Sequence, residues 1–155
     1  MRGFSMRAYE FLTRPRMAKI RLQKAQAHVA SLKSVAERAT VSFGLNSEPV
    51  SHTRNPSAMQ DMIIQLAEAE EEEKRLQEEL AEIELKVGLV LANLQDKDLY
   101  DFMTYHFLDC VPVRSAAYKV GYSYSWGRQA QARGICEIQA ILDRGEYSGG
   151  DTAPA

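Results

Sequence analysis

The sequence predicts an all-α protein: a long antiparallel helical hairpin, coiled-coil in character, followed by a small C-terminal trihelical unit of helix-turn-helix type. Three observations predict it. Two long segments, residues 22–39 and 59–94, repeat apolar residues at alternating three- and four-residue steps, the spacing of a coiled-coil seam. A stretch containing Gly and Pro separates them. Beyond residue 95 the heptads stop, and short apolar patches alternate with Pro112 and Gly121.

Taken in order, Thr13-Arg14-Pro15 reads as a helix start, because proline fits a first turn where its missing N–H costs nothing. A cluster of Phe4, Met6, Tyr9, Phe11 and Leu12 precedes it and fits a further helical turn or two. Leu22, Ala25, Val29, Leu32, Ala36 and Ala39 then form the first seam, with small residues that let a partner helix approach closely. Residues 42–56 combine Gly, two Pro and several Ser, Thr and Asn, and read as a loop.

A second helix is expected from Ser57, after Asn55-Pro56. Met59, Met62, Leu66, Ala69, Leu76, Leu80, Ile83, Val87, Val90 and Leu94 share one heptad register, broken only by Glu73. Glu73 reads either as a register-setting polar residue or as one that reaches solvent. About 38 residues at the standard rise span roughly 57 Å. Gly88, inside this helix, weakens it by about 1 kcal/mol relative to Ala.

The net charge of −2 conceals a segregated pattern. Residues 1–40 hold nine Lys/Arg and two Glu, a balance of +7; residues 57–95 hold three Lys/Arg and ten Asp/Glu, a balance of −7. Residues 96–155 hold six Lys/Arg and eight Asp/Glu, a balance of −2. Packed antiparallel, Lys19, Arg21, Lys24 and Lys33 would face Glu68, Glu70, Glu72, Glu78 and Glu82. Exposed pairs add little stability, so charge sets orientation and the apolar seam supplies the energy. An intramolecular hairpin is expected, joined by helices of another subunit in a homo-oligomer.

Several classes are excluded by composition and motif. No run of about 18 apolar residues is present, so no membrane-spanning segment is expected. The N-terminal 16 residues carry four arginines and no long apolar stretch, unlike a secretory signal. Cys110 and Cys136 form no CxxC pair, so neither a disulfide framework nor a zinc site is expected, and a reduced cytoplasmic compartment fits. His106 and Cys110 lack two further metal ligands nearby and read as core residues. The sequence contains no phosphate-binding Gly loop, nucleophile elbow or HExxH, so an enzyme is not expected, nor a cofactor. The domains expected are residues 1–95 (hairpin), 96–144 (helix-turn-helix unit) and 145–155 (a disordered Gly/Ser/Pro-rich tail).

In the C-terminal unit, Leu99, Phe102, Met103, His106 and Phe107 mark one face of a short helix, and Asp109-Cys110-Val111-Pro112 ends it. Pro112–Val120 is a second helix, stopped by Gly121. Ser123 caps a third, from Tyr124 to about Leu142. A helix-turn-helix needs a small residue at the crossing (Ala117), a glycine at the turn (Gly121) and inward apolar residues (Val120, Trp126, Ala130, Ile135).

On these residues the chain from Gln95 to Leu142 resembles region four of bacterial sigma factors, through LYDFMTYHFLDCVPVRSAAYKVGYS, whose GYS matches the turn. Over residues 5–142 it resembles small phage and prophage proteins that join a helical hairpin to a sigma-region-four-like C-terminus and are regarded as transcription regulators. The resemblance implies a DNA-binding regulator in the cytoplasm of a bacterial host. Double-stranded DNA is then the partner, with RNA polymerase a second one at the acidic surface. Docked in the family manner, Ser123, Tyr124, Ser125, Arg128 and Gln129 face DNA. Arg128 and Gln129 suit guanine and adenine edges, and Arg114, Lys119, Ser123 and Arg133 suit phosphates. The chain departs from the pattern at Ser115 and Ala116, where the family has an acid and a branched apolar residue. Gly127 replaces a second branched residue and Gly134 adds another glycine, so the recognition helix is expected to be weaker than the pattern asks.

Two other readings fit the same residues. A small terminase-like DNA-packaging protein also pairs a helix-turn-helix with helical hairpins, although with the DNA-binding unit first. A helical adaptor that binds only protein suits the acidic balance of the C-terminal segment.

Overall fold

All regular structure among the described residues is helical. The computed structural model describes residues 2–45 and 56–145, with side chains for 7–39 and 57–145. The helices are α1 (Arg2–Leu45), α2 (Pro56–Leu91), α3 (Lys97–Met103), α4 (Val113–Val120) and α5 (Tyr124–Arg144), and α3 continues into a π-helical turn, Thr104–Leu108. Of the expected loop over 42–56, residues 42–45 are helical and Pro56 opens α2. Residues 46–55, the tail from 146 onward and the side chains of Phe4 and Met6 lie outside the described residues.

The helix start expected at Pro15 is a misreading, since α1 begins at Arg2 and runs through Pro15. An interior proline removes a hydrogen bond and costs about 3 kcal/mol in isolation. Here the turns before it are held by burial: Ala8, Phe11 and Leu12 are core residues, and Pro15 itself is enclosed. Tertiary packing thus decides what the local signal left ambiguous.

The chain divides into two compact units, Met1–Lys19 with Leu80–Ala155, and Ile20–Glu79. In the Ile20–Glu79 unit the seam is visible as a pattern of burial. Val29, Ala69 and Leu76 are buried, and Leu22, Ala25, Leu32, Ala36, Ala39, Met59, Met62 and Leu66 are half-buried among exposed neighbours. Arg21 pairs with Glu79 at 3.6 Å and Lys33 with Glu70 at 3.7 Å. As residue numbers rise along α1 they fall along α2, so the two segments run in opposite directions. Glu72 pairs instead with Arg75 on its own helix, through two hydrogen bonds at 2.9 and 2.6 Å. Those bonds lower the Glu72 carboxyl below its ordinary range. Half-buried Glu73 accepts from Gln77 Nε2 at 3.5 Å.

The other unit contains the main core. Leu99, Phe102 and Met103 of α3, Ala116 and Ala117 of α4, and Ala130, Ile138, Ile141 and Leu142 of α5 pack with Ala8, Phe11 and Leu12 of α1 and Val87, Val90 and Leu91 of α2. The three C-terminal helices therefore share their core with the ends of the long helices. Gln139 is the buried polar residue in this core. Its Oε1 accepts from Ala8 N at 2.9 Å and its Nε2 donates to Asp143 Oδ1 at 2.9 Å, while Asp143 pairs with Arg7 at 3.7 Å. A buried amide left unpaired would cost a few kcal/mol, so this chain of bonds fixes how α1 meets α5. Further along α1, Lys19 Nζ donates to Leu108 O and lies 4.0 Å from Glu84.

Both glycines of α5 lie at close contacts, with rigid neighbours at Gly127 and the flexible Met103 side chain at Gly134. A Cβ on Gly127 would stand 2.8 Å from Ala117 Cβ and 3.1 Å from Val113 Cγ1, and one on Gly134 would collide with Met103 Sδ. The propensity lost at each glycine is exchanged for close approach of α5 to α4 and α3. Gly127→Ala is therefore predicted to destabilise the protein by about 1–3 kcal/mol, because overpacking outweighs the ~1 kcal/mol propensity gain. Gly88→Ala has nothing within 4 Å of the new Cβ, and the same substitution there is predicted to stabilise by up to about 1 kcal/mol. Urea unfolding of the two variants checks the opposite signs; a stabilising Gly127→Ala would refute the close-packing account.

Candidate nucleic-acid interface

The α4–α5 pair is built from local signals. α4 ends at Gly121, which adopts φ +94°, a conformation that glycine takes without strain. Tyr122 N donates to Ala117 O and Gly121 N to Tyr118 O, both at 2.9 Å, which satisfies carbonyls at the end of the helix. Ser123 is the N-cap of α5, its hydroxyl accepting from Trp126 N at 3.2 Å. Of the residues expected to face inward, Ala130 is buried and Val120, Trp126 and Ile135 pack against the core.

Ahead of this pair, Asp96 is the N-cap of α3 and accepts from Asp98 N at 3.0 Å and Leu99 N at 3.3 Å. The same carboxylate pairs with Arg133 of α5 at 2.5 Å. Asp98 accepts from the Tyr122 hydroxyl at 2.6 Å, and the Tyr122 ring stacks on Trp126 with centroids 4.1 Å apart. The N-cap acid of α3 and the acid of its first turn thus hold the middle of α5 and the α4–α5 turn. The hydrogen bond from Leu99 N, aided by Arg133, lowers the Asp96 carboxyl below its ordinary value. The bond to Asp98 raises the Tyr122 hydroxyl.

The π-helical turn places half-buried His106 with Nδ1 2.8 Å from Val111 O, a carbonyl that can only accept, so Nδ1 carries the proton. Its Nε2 lies 3.3 Å from Gln131 Nε2, an amide that donates to it. Half-buried Cys110 takes φ +58° in the connection to α4, and Cys136 is an exposed thiol on α5.

The expected site residues separate into three groups. Tyr124, Ser125, Arg128 and Gln129, with Ala132, line one shallow exposed depression on α5. Ser123 adjoins them as the cap, its hydroxyl already accepting from the backbone. Arg114, exposed on α4, places its guanidinium carbon 4.7 Å from the centre of the Tyr124 ring. Lys119 lies elsewhere, with Nζ 5.5 Å from the centre of the Tyr105 ring. Arg133 is engaged by Asp96 and so differs from a free phosphate ligand. Between Tyr124 and Cys136 the sequence has two arginines and no acid.

No family model matches the chain, and no curated protein or solved structure matches it.

Sequence reasoning missed two features of this surface. Tyr118 on α4 is 81% exposed, more than any other large hydrophobic side chain among the described residues. The Asp96 and Asp98 contacts were also missed. Asp96 two and three residues before Asp98 and Leu99 is a legible N-cap signal, but its second role, toward Arg133, spans 37 residues and leaves no local trace.

Asp96→Ala is predicted to cost about 1 kcal/mol through the lost cap, whereas Asp96→Asn keeps the cap and loses only the ion pair. Because the folded-state carboxyl is depressed, its contribution is present above the ordinary Asp range and is lost as pH falls below about 4. Exposure and screening keep the ionic part small. Urea midpoints of wild type and Asp96→Asn at neutral and acid pH should therefore converge on acidification, and a gap that widens would contradict this assignment.

Proposed function

We propose that the chain binds duplex DNA through α4 and α5 acting as a helix-turn-helix, and that it serves as a transcription regulator of the phage type. The observation that carries this reading is the exposed face of the N-terminal half of α5, which has no acid from Tyr124 to Cys136 and bears Tyr124, Ser125, Arg128 and Gln129 at its start. From Tyr124 to Ala132 the helix advances roughly 12–13 Å, which suits a major groove about 12 Å wide. Arg128 makes no ion pair among the described residues, so its fork of donors is free for a guanine edge, and Gln129 beside it suits adenine. The glycine-close crossing of α4 and α5 supports the same reading, because it leaves this face clear of the supporting helix.

The antiparallel α1 and α2 segments fit a coiled-coil hairpin that associates with a second copy. Support comes from the seam residues that stay half-buried, and from Ile63 (61% exposed), Ile64 (54%) and Val35 (41%) outside the seam. No helix among the described residues is long and apolar enough to cross a membrane.

Duplex titrations followed by anisotropy at two salt concentrations test the DNA reading. Wild type should bind in a salt-sensitive manner, and Arg128→Ala with Gln129→Ala should weaken binding at least tenfold if one good base contact is lost. Absence of low-salt binding to any duplex would favour the protein-adaptor reading. For the hairpin, light scattering should report more than one copy at micromolar concentration. Ile63→Glu with Ile64→Glu should reduce the mass without loss of helical circular dichroism. A monomeric wild type would end the oligomer proposal, and a ring-sized assembly would favour DNA packaging.

A further inference from the structure

Two arginines near the exposed face of α5 are held in different ways. Arg133 is bound by the Asp96 carboxylate at 2.5 Å, which both orients and neutralises it. Arg114 makes no ion pair among the described residues, and its guanidinium lies over the Tyr124 ring. An aromatic face attracts a cation without accepting its N–H bonds or cancelling its charge. Neither α4 nor α5 as far as Ile135 contains an acid that could do so. Lys119, the other cation of α4, also rests on a tyrosine, Tyr105. Both cations of α4 are therefore oriented by neutral rings and keep their full charge outward.

We propose that Tyr124 is a positioning residue that acts through Arg114: its ring holds the guanidinium beside the first turn of α5 as a clamp for one backbone phosphate of duplex DNA. This rests on the duplex-binding reading above. Tyr124 then reads no base, its hydroxyl is dispensable, and the contribution of Arg114 is independent of sequence. Planar guanidinium suits a phosphate through paired N–H donors, and the ring takes one face while leaving those edges free. Ordering the side chain before binding lowers the entropy lost on contact.

The test compares wild type, Arg114→Ala, Tyr124→Phe, Tyr124→Leu and the Arg114→Ala/Tyr124→Leu double variant. All five are measured on two mixed-sequence duplexes across a salt series, and the free proteins are examined by NMR. Both positions are exposed, so the fold should tolerate every variant. Arg114→Ala should reduce the slope of log affinity against log salt by about 0.9, the value for one phosphate, and by the same amount on both duplexes. Tyr124→Phe should match wild type, Tyr124→Leu should lose about threefold, and the double variant should bind no worse than Arg114→Ala alone. In the free protein, the Arg114 side-chain protons should show an upfield ring-current shift that persists in Tyr124→Phe and disappears in Tyr124→Leu.

A Tyr124→Phe loss equal to that of Tyr124→Leu would assign the role to the hydroxyl and overturn the proposal. So would additive losses, or an Arg114→Ala effect confined to one duplex. Duplex binding without the ring-current shift overturns this proposal and leaves the duplex reading intact. A shift without duplex binding removes the duplex reading and the phosphate assignment together.

Discussion

The close crossing of α5 over α4 and α3 is the constraint on which the candidate interface depends. At Gly127 the space for a Cβ is taken by Ala117 and Val113, and at Gly134 by Met103. Helix axes approach closely only where side chains are small, and the approach then fixes the rotation of the helix about its axis. Rotation is what divides α5 into a buried face, through Gly127, Ala130, Gly134 and Ile138, and an exposed one, through Tyr124, Ser125, Arg128 and Gln129. A branched residue at 127 would push α5 away from α4 and loosen that division. The glycines cost helix propensity, about 1 kcal/mol each, and the packed core around them offsets it.

Polar contacts then refine what packing sets. Asp96 caps α3 and reaches Arg133, Asp98 reaches Tyr122, and Tyr122 stacks on Trp126, so the start of α3 is tied to the α4–α5 turn and to the middle of α5. Each contact lies at the surface and is individually weak. Their value is directional: they act on elements whose positions the core already restricts. Gln139 differs because it is buried, and its bonds to Ala8 N and Asp143 join chain segments 131 residues apart in sequence at the first of these. An apolar residue of that size would pack as well but would not specify which turn of α1 meets α5.

What the sequence disclosed and what it hid follow the same physical line. The seam positions of α1 and α2 were legible because heptad spacing is local and repetitive, and the less exposed residues fall on it. Gly121 and Ser123 were legible because a left-handed stop and an N-cap are chemistry of single residues. Pro15 was misread because a proline at a first turn and a proline inside a packed helix look alike in sequence. Only the burial of Ala8, Phe11 and Leu12 separates them. Gly127 and Gly134 read as weaknesses because propensity is local and close approach is not. Arg133 read as a phosphate ligand because nothing near it in sequence announces Asp96. The expected acid contacts across the long helices met the same limit: Glu70 faces Lys33, but Glu72 is taken by a neighbour on its own helix.

Net charge is a poor guide to whether such a surface can meet a polyanion. Charges separated by more than about 8–10 Å in physiological salt are largely screened from each other. The −7 balance of residues 57–95 therefore bears on the α5 face only to the extent that its carboxylates come within that distance. Locally, Arg114 and Arg128 are exposed and without ion pairs among the described residues. The acids that contact the α4–α5 turn and α5's middle, Asp98 and Asp96, are engaged by Tyr122 and Arg133. Asp96 thereby removes one cation from the surface as well as one anion. What remains beside the first turn of α5 is a small patch that carries Arg114 and Arg128 and no acid of α4 or of α5 before Glu137. Its fixed side chains can favour a phosphate backbone even though the chain as a whole carries −2. A patch of that size supplies few phosphate contacts, so affinity would depend on base contacts and on the number of copies that bind together.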